Sequence, residues 1–159
     1  MERDASAAGT VAHATTAEDA PPGGMSLAAV ALHVGDLPKS VTFYRALLGL
    51  RESDLGTPTA ALLFNDDGFQ LYLRAVGHRA PHPLGAIGVQ CVVWSASDVH
   101  ELRRCEEWLK AHRAYAQTMT SDDITWVEGR DPNHLPVMVT YPRPGLAVHH
   151  RILSRIYAL

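Results

Sequence analysis

Residues 29–50, AVALHVGDLPKSVTFYRALLGL, predict a strand, a tight turn and a helix in direct succession. In residues 29–34 large apolar side chains alternate with Ala and His, which is the two-residue period of a strand. Asp36 and Pro38 are typical of a helix start, because the carboxylate caps free N–H groups and proline has no N–H to leave unpaired. Apolar residues then recur at helical spacing up to Gly49, a residue suited to ending a helix.

The rest of the chain predicts the same order of elements a second time. Turn residues separate the apolar runs, and Asp98 with Glu101 is typical of a capped helix start, for a helix that runs to about Arg113. Further strands are predicted at 59–64, 69–74, 87–94, 114–119, 124–128 and 136–141. The order strand, helix, strand, strand, strand therefore occurs twice. This makes eight strands and two helices, although no bounds are predicted for one strand of the first unit.

Three further segments have a distinctive composition. Residues 1–24 are rich in Ala and Thr, end in Pro-Pro-Gly-Gly and carry no apolar signal-peptide core, so a disordered tail is predicted. Residues 145–158 predict an amphipathic helix that packs on the domain or on a dimer partner. Its apolar side consists of Leu146, His149, Ile152, Leu153 and Ile156. The charged run 103–107 is interpreted as a solvated helix face.

Composition narrows the class of protein. The chain has 159 residues and is 47% apolar, enough for one packed domain at residues 25–142. The net charge of −3 gives no reason to expect nucleic acid or an anionic membrane as partner. Cys91 and Cys105 form neither a disulfide framework nor a metal-pair spacing, and no apolar run approaches the ~20 residues of a membrane span. A cytoplasmic protein is therefore predicted.

The first stretch resembles the opening of the vicinal oxygen chelate superfamily, which includes glyoxalase I, extradiol dioxygenases and bleomycin-type resistance proteins. The residues that carry the resemblance are Asp36-Leu37, Ser40, Phe43-Tyr44 and Leu48-Gly49-Leu50. The resemblance covers about residues 27–142 and implies an α+β fold of two βαβββ modules, at about 27–76 and 86–142. In that family the modules form a half-open barrel whose concave face is the active site, and homodimers are common.

The resemblance also locates the four positions that hold one divalent metal ion in metal-using members. They correspond to Ala29, Tyr72 (Gln70 if the register slips by two), Cys91, and Met138 in the segment after Asp131-Pro132. Ala29 and Met138 do not suit a hard or borderline divalent ion. A metal-free member with no cofactor is therefore predicted, although a strand slip would bring His33 or Gln90 into play.

Strand alternation predicts which side chains form the wall of the concave cavity. The predicted ligand-binding residues are Ala29, Ala31, His33, Gln70, Tyr72, Cys91, Val93, Trp126, Met138 and Thr140, with Glu128 on the same face as Trp126. Glu128 falls where some family members carry a catalytic Tyr. A mostly apolar wall with few polar groups is typical of a small-molecule site.

Two classes of function remain open. The first is metal-free binding and sequestration of a hydrophobic or aromatic small molecule, as in the resistance proteins. The second is a lyase, isomerase, cyclase or dioxygenase-like enzyme that uses Glu128 or His33 as general base, or a metal at a shifted site. A third, weaker interpretation is a degenerate paralogue that serves only as a dimer partner.

Overall fold

The computed structural model describes residues 27–77, 79, 87–121 and 123–156, so the predicted tail at 1–24 lies outside the described residues. The elements of the first module are β1 (Ala29–Val34), α1 (Leu37–Leu48), β2 (Arg51–Glu52), β3 (Ala60–Phe64) and β4 (Gln70–Ala75). Those of the second module are β5 (Val92–Ser95), α2 (Val99–Ala111), β6 (Tyr115–Ser121), β7 (Ile124–Arg130) and β8 (Pro136–Tyr141). A C-terminal helix, α3 (Leu146–Ile156), follows.

Each module builds one four-stranded mixed sheet with the same strand order. The first sheet runs β1-β4-β3-β2 and the second runs β5-β8-β7-β6. In each sheet the first strand pairs in parallel with the last, and the remaining pairs are antiparallel. The predicted α+β fold of two βαβββ modules, open rather than closed, with a C-terminal helix, is confirmed. Among the described residues, no helix has the length and hydropathy that a membrane crossing requires.

One strand prediction needs correction, and one strand had no predicted bounds. The strand predicted at 87–94 begins only at Val92, which pairs with Val137. Its partner strand starts at Pro136, which has no N–H to donate to the ladder, so the pairing does not extend back to Cys91. The unplaced strand is the two-residue β2, which is too short to show any period.

One hydrophobic core joins the two modules. It includes Tyr44 and Leu47 of α1, Leu73 of β4, Leu109 of α2 and Val137 of β8, each at most 2% exposed. The helices α1 and α2 pack against each other and against the sheets of their own modules. Each sheet therefore turns one face to a helix, and its other face points away from it.

Arg104 corrects the interpretation of the charged run as a solvated face. Its guanidinium donates to the carbonyl oxygens of Ala46 (2.8 Å) and Leu47 (2.6 Å) at the end of α1, and to Glu101 (2.8 Å). The hydrogen bond from Arg104 holds the pKa of Glu101 below its usual value. Arg104 thus caps a helix of the other module, because the last carbonyls of a helix lack partners within it.

The helix α3 packs on the second sheet, on the face away from α2. Ile152 is 2% exposed and forms a separate cluster with Ile124, Trp126 and Met138, against which Val148 also packs. The predicted apolar side is wrong at its first position, since Leu146 is 91% exposed. Two adjacent turns, at Val148 and Ile152, make the contact.

Gly129 is expected to be the least replaceable glycine of the described chain for reasons of space. A Cβ there would lie 2.8 Å from the Ala114 carbonyl oxygen and 2.8 Å from a methyl group of Leu109. Gly129→Ala should therefore lower the free energy of unfolding by about 1–3 kcal/mol, the usual effect of overpacking. Urea unfolding measures this. Gly145→Ala, which meets nothing within 4 Å, is the control, and equal losses for both variants would contradict the prediction.

Candidate functional site

The predicted wall residues of the first module lie together on the face of the first sheet that points away from α1. The parallel pairing sets Ala29 beside Gln70 and Ala31 beside Tyr72, and all four side chains are exposed. His33 pairs with Arg74 on the same face, and both are exposed. We call this set of six residues the open face. Arg74 was missed by the sequence analysis, although continuing the alternation two residues beyond Tyr72 identifies it.

The corresponding wall residues of the second module are buried or half-buried. Trp126 and Met138 are each 2% exposed and lie under α3 in the cluster with Ile152, and Val93 packs against this cluster. Thr140 is fully buried, and its hydroxyl donates to the Trp94 carbonyl oxygen at 3.1 Å. The chain's own helix therefore occupies the half of the predicted wall that the second sheet contributes.

Glu128 is held by two hydrogen-bond donors. One carboxylate oxygen accepts from Trp126 Nε1 at 2.8 Å, and the other accepts from Gln117 Nε2 at 2.9 Å. A general base must reach the substrate proton and prefer to take it up. Both carboxylate oxygens of Glu128 already accept a hydrogen bond from the chain itself, so neither is held ready for a substrate proton. Here its carboxylate orients an indole under α3.

Cys91 lies next to Met138 and Glu128 around a small cavity of about 40 Å³. A cavity of this size has room for a few water molecules but not for an organic ligand. Cys91 is half-buried, while the second thiol, Cys105, is buried in the core between the modules. Burial raises the pKa of Cys105 to about 11, which keeps it in the unreactive thiol form.

The four positions implied for a metal ion do not provide a suitable donor set. Ala29 has no donor atom, and the Met138 thioether is buried under α3. Gln70, not Tyr72, is the direct neighbour of Ala29, while Cys91 lies beside the other sheet. Within the described ranges no group of three or more His, Cys, Asp or Glu residues could hold a metal ion. The residues present do not fit a divalent ion at this place, and no step is assigned to one.

The motif residues that carried the resemblance have a structural role at the junction of the modules. The buried Asp131 carboxylate accepts from Tyr44 Oη at 2.9 Å and from the backbone N–H groups of Asn133 and Leu135 at 2.8 Å. The Asn133 side chain accepts from Gly35 N at 2.9 Å and donates to Ser40 Oγ at 3.2 Å. The loop between β7 and β8 is thereby fixed to the start of α1.

Comparison with solved structures shows the same fold in proteins of low identity. A glyoxylase/bleomycin resistance protein/dioxygenase domain from Frankia sp. EAN1pec is 21% identical, with a TM-score of 0.67 over 76% of this chain and all of that chain. A glyoxalase/dioxygenase from Nostoc punctiforme is 20% identical, with a TM-score of 0.65 over 76% and 93% of the two chains. A lactoylglutathione lyase from Agrobacterium tumefaciens is 22% identical, with a TM-score of 0.57 over 74% and 94%.

These pairwise similarities show the fold, whereas a match to a family model also assigns the family. None of the curated proteins compared with the chain matches it. The model of the Glyoxalase/Bleomycin resistance protein/Dioxygenase superfamily, however, matches residues 26–138, which is most of the chain and runs from β1 into β8. The protein therefore belongs to the glyoxalase/bleomycin resistance protein/dioxygenase superfamily.

Proposed function

We propose that this protein binds and sequesters a small hydrophobic or aromatic molecule on its open face, without a metal ion. The observation that carries the proposal is the kind of side chain found at the four positions that hold a metal ion in metal-using members. Of the four positions that correspond to metal ligands, one holds Ala29 and another holds Met138, which is buried under α3. Glu128, a candidate general base on that wall, is held by Trp126 and Gln117.

The open face has the chemistry that such a ligand needs. Tyr72 is 39% exposed and offers a ring, and its neighbour Ala31 leaves space beside it because the side chain is a single methyl group. Gln70 and Arg74 flank Tyr72 on the same strand and supply hydrogen-bond donors at the edge of this surface. An aromatic ring beside small apolar side chains, with polar groups that fix the orientation of a ligand, is a combination found in small-molecule sites.

The alternative is an enzyme of the same superfamily with His33 as general base. The observation that favours it is the exposure of His33 on the open face, where a bound molecule could reach the imidazole. Glu128, the other candidate base, is less suited because of its two donors. The homodimer implied by the resemblance and the cytoplasmic location predicted from composition stay predictions.

Two variants of the open face separate these classes. Neutral aromatic molecules are screened by thermal shift, and the affinity of the best binder is measured by calorimetry. We expect Tyr72→Ala to weaken binding about 5- to 30-fold, because a stacking partner and part of the contact area are lost. His33→Gln should leave the affinity nearly unchanged under the binding proposal.

The control is Leu55→Ala, which shortens an apolar side chain that is 78% exposed outside the open face. Equal affinities for Tyr72→Ala, Leu55→Ala and the native chain would overturn the location of the site. Chemical conversion of the bound molecule that falls about 10²-fold or more in His33→Gln, with binding kept, would establish the enzymatic alternative.

A further inference from the structure

A large cleft lies on the helical side of the sheets, away from the open face. Its volume is about 690 Å³, and it lies between the N-terminal half of α1, the C-terminal end of α2 and the loop after β7. Sites for small molecules typically have about 300–1,000 Å³. We call this cavity the helix cleft and define it by Lys39, Phe43, Trp108, Arg113, Tyr115 and Arg130, which are among its lining residues.

Aromatic rings held in fixed orientations form one wall of the helix cleft. Phe43 meets Trp108 edge to face, with ring centroids 5.2 Å apart, and is itself 5% exposed. The His112 ring stacks on Trp108 at 4.1 Å, and its Nδ1 lies 2.8 Å from the Trp108 carbonyl oxygen. Rings that are already locked by packing provide flat contact surface at a small entropic cost.

The charges of the helix cleft are predominantly positive. Lys39, Arg113 and Arg130 line it, and the single carboxylate among its lining residues is Asp131. That carboxylate is already satisfied by Tyr44 and the loop donors. Among the described residues neither Arg113 nor Arg130 has a carboxylate partner, although the net charge of the chain is −3. One nitrogen of Arg130 donates to the His134 carbonyl oxygen at 3.4 Å, and the other donors of Arg130 and the guanidinium of Arg113 are available to an anion.

Arg113 occupies a position where glycine is normally favoured. It follows α2 with φ of 56°, and the N–H groups of Arg113 and Ala114 bond back to the carbonyls of Lys110 and Leu109. This pattern ends many helices, and its left-handed residue is usually glycine because other residues have a steric cost of about 1 kcal/mol there. The helix dipole offsets part of that cost for a cation. Arg113 therefore lies at the rim of the helix cleft although part of this steric cost is not offset.

We propose that the helix cleft is a second binding site, for a small flat aromatic carboxylate. The aromatic ring of the ligand packs against Trp108 and Phe43, and its carboxylate pairs with the guanidinium groups of Arg113 and Arg130. A guanidinium donates two parallel hydrogen bonds to a carboxylate, which gives this pairing both strength and orientation. A neutral aromatic molecule would leave both guanidinium groups without a carboxylate partner, so the negative charge is part of the recognition.

The test compares two probes of nearly the same shape on the full chain. Calorimetry at pH 8 should show that 2-naphthoate binds with one site per chain and that the neutral 2-naphthamide binds at least about tenfold more weakly, since only the carboxylate makes charged hydrogen bonds. In the variant Arg113→Asn/Arg130→Gln this difference should disappear. Asn is chosen at position 113 because it tolerates the left-handed backbone. Equal affinity of the native chain for both probes, or no binding of 2-naphthoate, would overturn the proposal.

Matched controls locate the probe. The variant Arg103→Gln/Arg143→Gln removes the same charge from exposed positions outside the helix cleft and should bind 2-naphthoate like the native chain. In nitrogen–proton NMR spectra of the native chain, the indole signal of Trp108 should shift more than those of Trp94 and Trp126, a result that depends on no variant folding. A larger shift at Trp94 or Trp126, or loss of 2-naphthoate binding in Tyr72→Ala, would place the probe elsewhere and refute this site without affecting the proposal for the open face.

Discussion

Asp131→Ala is expected to lower the free energy of unfolding by about 3–4 kcal/mol, since it leaves several buried donors without an acceptor. Asp131 is 4% exposed and accepts from Tyr44 Oη, from two backbone N–H groups and from the Asn133 amide at 3.2 Å. The Tyr44 side chain is fully buried, so its hydroxyl cannot turn to water instead. Urea unfolding followed by circular dichroism measures the loss.

Two further variants make this prediction specific. Asp54→Ala removes an exposed carboxylate and should change stability by less than about 0.5 kcal/mol. Tyr44→Phe should cost about 1–2 kcal/mol, and combined with Asp131→Ala it should cost less than the sum, because one hydrogen bond is lost in both. Equal stabilities of Asp131→Ala and Asp54→Ala would show that this junction does not stabilise the fold. Full additivity with Tyr44→Phe would show that the hydrogen bond between Tyr44 and Asp131 contributes nothing to the coupling of the two residues.

The same pair of residues predicts a dependence of stability on alkaline pH. Burial, and then the charge and hydrogen bond of Asp131, raise the pKa of Tyr44 above its usual value. The phenol is therefore kept protonated in the folded chain and ionises more easily in the unfolded chain. Its contribution to stability is complete below the unfolded pKa of about 10 and is lost as the pH rises from there toward the folded value. Tyr44→Phe should remove this part of the alkaline loss.

These contacts explain why the fold was predictable while the ligand was not. Asp36 accepts from Lys39 N at 3.0 Å and so caps α1, and Tyr44 and Ser40 hold the loop at Asp131 and Asn133. The motif that revealed the family thus consists of residues that assemble the modules. Local chemistry of this kind is visible in sequence, because caps and periods involve residues a few positions apart. This local chemistry says little about what the open face or the helix cleft binds.

The parts of the site that were not predicted depend on contacts between distant segments. Alternation shows which residues share a face of a strand with Tyr72 or Trp126, but only tertiary packing decides that one is exposed and the other lies under α3. The amphipathic pattern at 145–158 predicted a helix without saying what it would cover. Likewise Arg113 and Arg130 are brought to one cleft by separate segments, and no spacing in the sequence connects them.

Ile152→Asp is expected to release α3 from the second sheet. Ile152 is 2% exposed between Trp126 and Met138, so the variant loses the burial of one apolar side chain and places a carboxylate against an apolar surface. Together these effects should weaken the docking of α3 by at least about 3 kcal/mol. Among the described side chains, the core between the modules includes none from α3, and we expect this core to persist. A red shift in the fluorescence of Trp126, with little change in circular dichroism beyond the helix, would report this local opening.

Leu146→Asp is the matched control, because it introduces the same charge in the same helix at a side chain that is 91% exposed. It should leave the fluorescence and the unfolding transition unchanged. Release of α3 should also expose the apolar side chains that it covers, Trp126, Met138 and Val93. A neutral aromatic probe should then bind at more than one place, or more tightly than to the native chain. Such a gain would show that α3 limits the size of ligand that the protein accepts. An unchanged Trp126 signal in Ile152→Asp would instead mean that the indole is shielded by the sheet and its Glu128 contact alone, and that α3 contributes nothing to closing this wall.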